Sequence, residues 1–121
     1  MPVDFLTDDQ YQTYAKYPEV LTQDQLDKYF YLDDKDKDLI DVCRRDYNKL
    51  GYAIQLTTVR FLGTFLSNPI DVPNNVILYI ARQLAIDLPA ALEFYMDRKA
   101  TRLAHYGEIK TLFDYLDLSN V

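Results

Sequence analysis

Apolar residues recur at helical spacing along most of the chain. In the segment LTQDQLDKYFYL, the apolar positions Leu26, Tyr29 and Phe30 fall at i, i+3 and i+4, the spacing that places side chains on one face of an α-helix. Alternation of apolar and polar residues never persists for the length of a strand, and the dipeptides that favour tight hairpins are missing. The pattern predicts an all-α fold, a compact bundle of about seven helices.

Capping residues indicate where the first two helices begin. Thr7 with Gln10, and Thr22 with Gln25, follow the capping-box pattern, in which two residues three positions apart bond each other's backbone at a helix start. Pro18 ends the first of these helices, because the residue before a proline is disfavoured in the helical conformation. Two short helices are therefore expected before residue 33.

A third helix is expected to begin with an aspartate as its N-cap. Either Asp33 or Asp34 can fill this position, and the helix would then run through DKDKDLIDVCRRDYN. Asn48 suits a helix end, so it is expected to separate this helix from the next one.

The segment LSNPIDVPNN, with two prolines and no periodicity, is the clearest interruption in the chain. It predicts a weak internal break near 67–73. Asp71 is expected to cap the helix that follows, with Pro73 near its first turn. Asp87 and Pro89 predict the start of a further short helix, and DRKATRLAHYGEIKTLFDYL predicts a long final one.

The segment NKLGYAIQLTTVRFLGTF predicts the central element of the bundle. Over roughly residues 49–65, apolar side chains occupy almost every side of the expected helix, and a helix of this kind is normally buried among others. Gly51 and Gly63 then fit sites of close helix approach or helix ends. A helix-turn-helix-like arrangement is compatible with this set of helices.

Length and composition agree with a single globular domain, residues 1–121. The chain is 49% hydrophobic and has only three glycines and five prolines, which excludes a disordered protein. No apolar run approaches the roughly 20 residues that span a bilayer, and the acidic start lacks the apolar core of a signal peptide. We therefore expect a soluble, cytoplasmic protein that makes no contact with membranes.

The net charge of −6 argues against a nucleic-acid partner when taken alone, but the charge is unevenly distributed. Residues 1–41 contain 11 acidic and 4 basic side chains, whereas residues 42–121 contain 8 acidic and 9 basic ones. The acidic excess is thus confined to the first third of the chain.

No catalytic, metal or cofactor site is expected from the sequence. The run DDKDKD lacks the glycine and the glutamate that a calcium-binding EF-hand loop requires, so it fits a solvated helix start. His105 is the only histidine and Cys43 the only cysteine, which excludes a local multi-ligand zinc site. His105 fits an ordinary helix-face residue, and no phosphate-binding or nucleophile motif occurs.

Two clusters of basic residues are the remaining candidates for binding. One straddles the boundary between two predicted helices, and the other lies on the last helix. In the second cluster Arg98, Arg102 and His105 follow the spacing i, i+4, i+7 and so share a stripe. Such a stripe suits successive phosphates, but an exposed face paired with nearby carboxylates fits the spacing equally well. The first cluster is Arg44, Arg45 and Lys49, and the second is Arg98, Lys99, Arg102, His105 and Lys110.

Several motifs resemble those of one protein family. The segments MPVDFLTDDQ, YFYLDDKDKDLI, NKLGYAIQLTTVRFLGTF, DVPNNVILYIARQL and RLAHYGEI occur in this order. Together they resemble the N-terminal region of the replicative, cointegrate-forming bacterial transposases, the TnpA proteins of the Tn-three family. The resemblance covers nearly the whole chain, and its most specific parts are LGYAIQLTTVRFLGTF and the DVP that follows.

The resemblance implies a role in transposition. In that family a metal-dependent DDE catalytic domain lies far toward the C-terminus, and the N-terminal region helps to recognise the terminal inverted repeats of the transposon. The chain would then be a non-catalytic module, without cofactors, in a bacterial cytoplasm and associated with the nucleoid when bound to DNA. The matching motifs carry over Arg44, Arg45, Asn48, Arg60, Arg102 and His105 as family-pattern positions.

Two hypotheses follow. In the first, the chain is a DNA-binding module whose partners are double-stranded DNA at the inverted repeats and the remaining transposase domains. In the second, it is an interaction or dimerisation module with little direct DNA contact, and a homodimer formed through the full-length protein is compatible with either. The expected DNA-binding residues are Arg44, Arg45, Asn48, Lys49, Arg60, Arg98, Lys99, Arg102 and His105.

Overall fold

The computed structural model describes residues 17–87 and 92–119, with side chains described up to residue 114. These ranges contain six α-helices and no strand, which confirms the predicted all-α class. The helix predicted to follow Thr7 lies outside the described residues. The six helices are α1 (Gln23–Tyr29), α2 (Asp34–Asp41), α3 (Asp46–Leu62), α4 (Asn74–Gln83), α5 (Leu92–Met96) and α6 (Lys99–Ser119).

Capping boxes begin α1 and α2. The Thr22 hydroxyl accepts a hydrogen bond from the Gln25 amide at 3.1 Å, and the Gln25 side chain accepts one from the Thr22 amide at 2.9 Å. Asp33 and Asp36 bond each other's backbone amides in the same way, at 2.8 and 3.2 Å. The capping box predicted at Thr22 is confirmed. Of the two residues considered as the N-cap of α2, Asp33 fills the position.

The prediction that one helix runs from residue 34 to Asn48 is wrong. The amide of Cys43 bonds to the carbonyl of Ile40 at 3.0 Å, which tightens the last turn of α2. Arg45 then adopts an extended backbone, φ −113° and ψ 148°, and becomes the N-cap of α3. Ile40 and Leu50, on either side of this turn, are both buried, and Asn48 falls in the first turn of α3.

The central position of α3 confirms the prediction for the apolar segment. Every residue from 50 to 58 is buried, and α3 contacts α1, α2, α4, α5 and α6. Its observed bounds lie three residues earlier than predicted. The helix ends at Gly63, whose φ of +79° is a left-handed conformation that glycine adopts without steric cost.

Both ends of α4 are formed by backbone atoms. Asp71 was predicted to cap this helix, and the prediction is wrong because the N-cap is Pro73, whose carbonyl accepts bonds from the amides of Val76 and Ile77. At the other end, Ala85 has a φ of +57°. The Ile86 amide bonds to the Ala81 carbonyl at 2.9 Å, the long bond of a Schellman motif.

The start of α5 was predicted from Asp87 and Pro89, and residues 88–91 lie outside the described residues. The helix itself, Leu92–Met96, and the long α6 both lie within the segments that the sequence predicted as helical. Tyr95 of α5 is completely buried and packs against Gly51 of α3. A Cβ at position 51 would meet its ring, so this glycine is the predicted site of close helix approach.

The turn between α1 and α2 is fixed by a side chain of α4. Gln83 donates from Nε2 to the carbonyl of Phe30 and accepts at Oε1 from the amide of Leu32, both at 2.8 Å. Phe30 and Leu32 are themselves fully buried. Gln83 therefore provides hydrogen-bond partners for two backbone groups that lie between helices and form no helical hydrogen bond.

Tyr17 anchors the chain where the described residues begin. Its ring stacks on Phe61 with centroids 5.5 Å apart, and its hydroxyl hydrogen-bonds the Thr58 hydroxyl at 2.7 Å. Burial raises its pKa well above the usual value.

Among residues 17–87 and 92–119, none of the helices combines the length and the apolar character that a bilayer crossing requires.

Candidate nucleic-acid interface

Arg44 and Arg45 lie at the N-terminus of α3. Both are exposed, and the side chain of Arg45 makes no capping hydrogen bond. The first amides of a helix point outward and carry the positive end of the helix dipole. Two exposed cations beside such a helix end form a local positive potential that suits an anion such as a phosphate.

Arg98 and Lys99 lie at the junction of α5 and α6, and both are exposed. The Arg98 guanidinium carbon is 5.8 Å from the ring centroid of Tyr47, in the first turn of α3. The Tyr47 ring is also 5.8 Å from that of Phe94 on α5. The fold thus brings together two clusters that are some 50 residues apart in sequence. We call Arg44, Arg45, Tyr47, Phe94, Arg98 and Lys99 the cationic face.

The local charge of this region differs in sign from that of the chain. Segments 44–49 and 93–102 together contain six cations and three carboxylates, against a net charge of −6 for the whole chain. Lys49 makes a long ion pair with Asp41 at 3.9 Å, and both side chains are partly exposed, so solvent weakens it. An excess of positive charge therefore remains on this side of the molecule.

Asn48 lies beside the cationic face but points partly inward. The residue is half-buried, and its Oδ1 is buried with no hydrogen-bond partner among the described residues. A bidentate contact to adenine requires the amide oxygen and the amide nitrogen together. In this conformation the side chain offers at most its nitrogen to a base.

Arg60 lies elsewhere on α3. It follows Arg45 by four turns of helix, a distance of about 22 Å at 1.5 Å per residue. Its guanidinium binds Asp36 Oδ1 at 2.8 Å and approaches the carbonyl of Tyr31 at 3.4 Å. Because Asp36 is only 6% exposed, this ion pair ties α3 to α2 and occupies the cation within the molecule.

Arg102 and His105 point toward the core of the bundle. Arg102 is half-buried, its Nε is buried without a partner among the described residues, and its carbonyl accepts a 3.4 Å bond from Gln55. His105 is 7% exposed, so the prediction of an ordinary helix-face residue is wrong. The i, i+4, i+7 stripe on α6 turns inward because its later members face α3.

His105 belongs to a buried chain of hydrogen bonds. Gln55 Nε2 donates to the Tyr95 hydroxyl at 2.6 Å, and this hydroxyl lies 2.8 Å from His105 Nδ1. Since the Tyr95 oxygen already accepts from Gln55, its hydrogen is free for Nδ1. His105 Nε2 is then the protonated nitrogen, facing Cys43 Sγ at 3.6 Å.

Burial keeps the side chains around His105 in their neutral forms. Burial lowers the pKa of His105, although Glu108 acts in the opposite direction. Burial likewise raises the pKa of the Cys43 thiol and raises that of Tyr52, whose ring edge faces His105, to about 12. A neutral imidazole, a thiol and a phenol are consistent with a polar element of the core.

Sequence reasoning missed the two aromatic members of the cationic face. No role was predicted for Tyr47 or Phe94, although Phe94 precedes Arg98 by four residues and Tyr47 follows Arg45 by two. This interleaving of aromatic and cationic residues was a usable signal, because nucleic-acid surfaces combine the two. Their proximity across helices had no signal in the sequence.

A second exposed surface lies between α2 and α6. It forms a shallow groove, and Val42 at its edge is 80% exposed. Leu39, at 36% exposure, continues the apolar strip and also lines an adjoining pocket with Asp33, Lys35 and Asp38. An apolar floor beside carboxylates suits a protein partner better than DNA.

Comparison with known proteins places these features in context. Residues 5–121 match the family described as "Domain of unknown function (DUF4158)". The chain is 44% identical over 115 residues to the transposase for transposon gamma-delta of Escherichia coli (strain K12). It is 39% identical over 98 residues to the transposase for transposon Tn501 of Pseudomonas aeruginosa, and 31% identical over 113 residues to that for transposon Tn1546 of Enterococcus faecium.

The matched segments cover most of this chain but only a small part of each relative. They cover 95%, 81% and 93% of the chain, but only 12%, 10% and 11% of the three transposases. The resemblance to Tn-three family transposases, inferred from the motifs around α3, is confirmed. The chain belongs to the DUF4158 family, which it shares with a region of these transposases.

Proposed function

We propose that the chain is a non-catalytic DNA-binding module of a transposase, which helps to recognise the terminal inverted repeats of a transposon. The observation that carries this proposal is the position of Arg98 over Tyr47, which joins two separate cation clusters in one surface. The identity of 44% with the transposase for transposon gamma-delta supports the context of DNA transposition.

The cationic face suits phosphate contacts more than base recognition. Its four cations are exposed and long, so they reach a phosphate backbone without a fixed geometry. The amides at the start of α3 add donors that a phosphate oxygen accepts. Asn48, with its nitrogen side available, is the residue nearest to this surface that could distinguish bases. In this proposal, strand cleavage and transfer belong to other domains of the transposase.

Salt dependence of binding tests this proposal. We expect the chain to bind duplex DNA, to prefer the cognate inverted repeat over a scrambled duplex, and to show a log–log salt slope of about −3 to −4 if the four cations of the cationic face each neutralise a phosphate. Fluorescence anisotropy at several salt concentrations gives both the affinity and the slope.

A matched pair of variants locates the surface. The double variant Arg98→Glu, Lys99→Glu should weaken binding to every sequence and reduce the magnitude of the salt slope by about 2. Lys35→Glu with Lys37→Glu makes the same change in net charge on the exposed side of α2 and should bind almost as the unchanged chain does. Equal effects of the two pairs would reject the cationic face, and absence of binding at low salt would reject the proposal.

A second candidate function is an interaction module within the transposase. The exposed Val42 and Leu39 beside the carboxylates of α2 favour it, because exposed apolar groups flanked by charge are typical of protein interfaces. Val42→Asp would then weaken association with the remaining transposase domains in a pull-down with purified fragments. It should leave DNA affinity unchanged, which separates the two candidates.

A further inference from the structure

An aromatic ring projects into solvent in the middle of the cationic face. Phe94 is 60% exposed, although its ring lies against Tyr47 with centroids 5.8 Å apart and planes inclined by 45°. The contact covers one part of the Phe94 ring and leaves much of its surface in water. A large exposed aromatic side chain is costly in water unless a partner covers it.

The two rings are held by the fold. Tyr47 lies in the first turn of α3 and Phe94 in α5, and these two helices pack directly against each other through Gly51 and Tyr95. Arg98 approaches Tyr47 at 5.8 Å, so one ring is contacted by both an aromatic and a cation. The exposed Phe94 surface is thus presented at a fixed position beside positive charge.

We propose that Phe94, supported by Tyr47, stacks on an unstacked DNA base, so that the cationic face binds locally opened DNA more tightly than a fully paired duplex. The inference rests on the proposed DNA-binding function and adds the form of DNA that this surface prefers. Stacking on an aromatic ring is tolerant of base identity, because every base has a π-face. The surrounding cations bind the phosphates on either side of that base.

The neighbours of the two rings favour DNA over a protein partner. Protein interfaces surround an aromatic anchor with further apolar side chains that exclude water. The exposed neighbours of Phe94 and Tyr47 along the chain are instead charged, and they comprise four cations and three carboxylates. These neighbours are Arg44, Arg45, Asp46, Glu93, Asp97, Arg98 and Lys99.

Two DNA probes of the same length test the inference with the 121-residue chain. One is a fully paired duplex, and the other is the same duplex with a short central mismatch bubble. We expect the chain to bind the bubble probe roughly five- to tenfold more tightly, the size of effect that stacking of one base produces. Phe94→Ala should abolish this preference and leave the affinity for the paired duplex almost unchanged, because the phosphate contacts remain.

Two further variants make the result specific. Phe94→Leu keeps an apolar side chain of similar size but has no aromatic ring, so it should lose the preference as Phe94→Ala does. Leu78→Ala, on α4, removes an apolar side chain that is 49% exposed and should retain the preference. Circular dichroism confirms that each variant is folded before binding is measured.

Each outcome has a defined meaning. Equal affinity of the unchanged chain for the two probes overturns the stacking inference and leaves the proposed function intact. Retention of the preference in Phe94→Ala also overturns it. If this variant in addition converts a dimer to a monomer, Phe94 belongs to a protein interface. Absence of binding to either probe at low salt overturns both proposals. Arg44→Glu with Arg45→Glu should lower both affinities by the same factor.

Discussion

Individual residues in this chain have roles that their chemical type alone does not reveal. Arg60 and His105 both belong to the motifs from which the family resemblance was inferred, and a cation or an imidazole suggests contact with DNA. The structure places Arg60 in an ion pair with a buried aspartate and His105 in a hydrogen-bonded chain. These two residues therefore maintain the fold that presents the cationic face.

The burial of His105 predicts instability in acid. Burial lowers its folded-state pKa from the ordinary value of 6.5, and the carboxylate of Glu108 opposes this shift. The thiol of Cys43 and the phenols of Tyr52 and Tyr95 surround the ring. Because the unfolded chain binds the proton more readily, the free energy of unfolding should be constant above 6.5 and fall as the pH decreases below it. Urea unfolding at a series of pH values measures this.

His105→Gln removes the titrating group and serves as the comparison. The variant should be less stable than the unchanged chain at neutral pH by about 1–3 kcal/mol, since the buried Tyr95 hydroxyl loses the imidazole that it bonds. Its stability should decrease less between neutral and mildly acidic pH. A variant with the same acid sensitivity as the unchanged chain would show that other groups, among them the carboxylates of α2, cause it.

The sequence identifies candidate residues by type but not by exposure. Arg44, Arg45, Arg98 and Lys99 were predicted as cations and are exposed, whereas Arg102, on the same predicted stripe, turns partly inward. The difference arises from the position of α6 against α3, which depends on contacts between residues about 50 positions apart. Spacing within one helix contains no information about that contact.

At the scale of helices, the sequence predicted the starts that side chains cap, but not the start that a backbone carbonyl caps. The capping box at Thr22 lies within four residues of sequence, and its two bonds form as expected. The end of α2 depends instead on Ile40 and Leu50 reaching the same core, so composition alone suggested a longer helix. Pro73 likewise caps α4 through its backbone, a role that side-chain chemistry does not indicate.

The close contact of α3 and α5 predicts opposite effects of two glycine substitutions. A Cβ at Gly51 would lie 2.5 Å from Cδ1 and Cε1 of the buried Tyr95 ring, so Gly51→Ala should destabilise the chain by about 1–2 kcal/mol after its gain in helix propensity. Gly107 has no atom within 4 Å of such a Cβ, and Gly107→Ala in α6 should stabilise by about 0.5–1 kcal/mol.

Chemical denaturation of both variants measures the difference. Both changes add one methyl group to a helical glycine, so the gain in helix propensity is the same in the two variants. The difference between their free energies of unfolding therefore reports the contact of the new methyl group with Tyr95. Stabilisation by both substitutions to a similar extent would show that Tyr95 moves aside at little cost. Destabilisation by Gly107→Ala would indicate that its surface is covered by another part of the protein.

At the scale of the whole molecule, α3 is the central helix, and acidic and basic residues are unevenly distributed along the chain. The apolar character of α3 on all sides was readable from the sequence, and it correctly placed this helix at the centre. The uneven distribution of charge was also readable. Which cations meet in space was not, because the cationic face joins the start of α3 to the junction of α5 and α6.

The central position of α3 predicts an order of local stabilities. Amide hydrogens from residue 54 to residue 58 should exchange most slowly, because their helix is covered on all sides and opens only when the bundle unfolds. Amides of α2, in which six of the eight residues are exposed, should exchange faster. Hydrogen exchange followed by mass spectrometry or NMR measures both.

A matched substitution checks that this order reflects global unfolding. Ile54→Val removes one buried methyl group and should accelerate exchange throughout α3 by a common factor, corresponding to about 0.5–1.5 kcal/mol. If α3 exchanged as rapidly as α2, the bundle would not behave as a single cooperative unit around its central helix.

The two bonds of Gln83 restrict which residues can replace it during evolution. The position requires a side chain that donates to one backbone group and accepts from another at the same reach. A glutamate would lose the donor, a lysine would lose the acceptor, and an asparagine is one methylene too short. Any of these replacements would leave at least one of the two backbone groups in the turn between α1 and α2 without its partner.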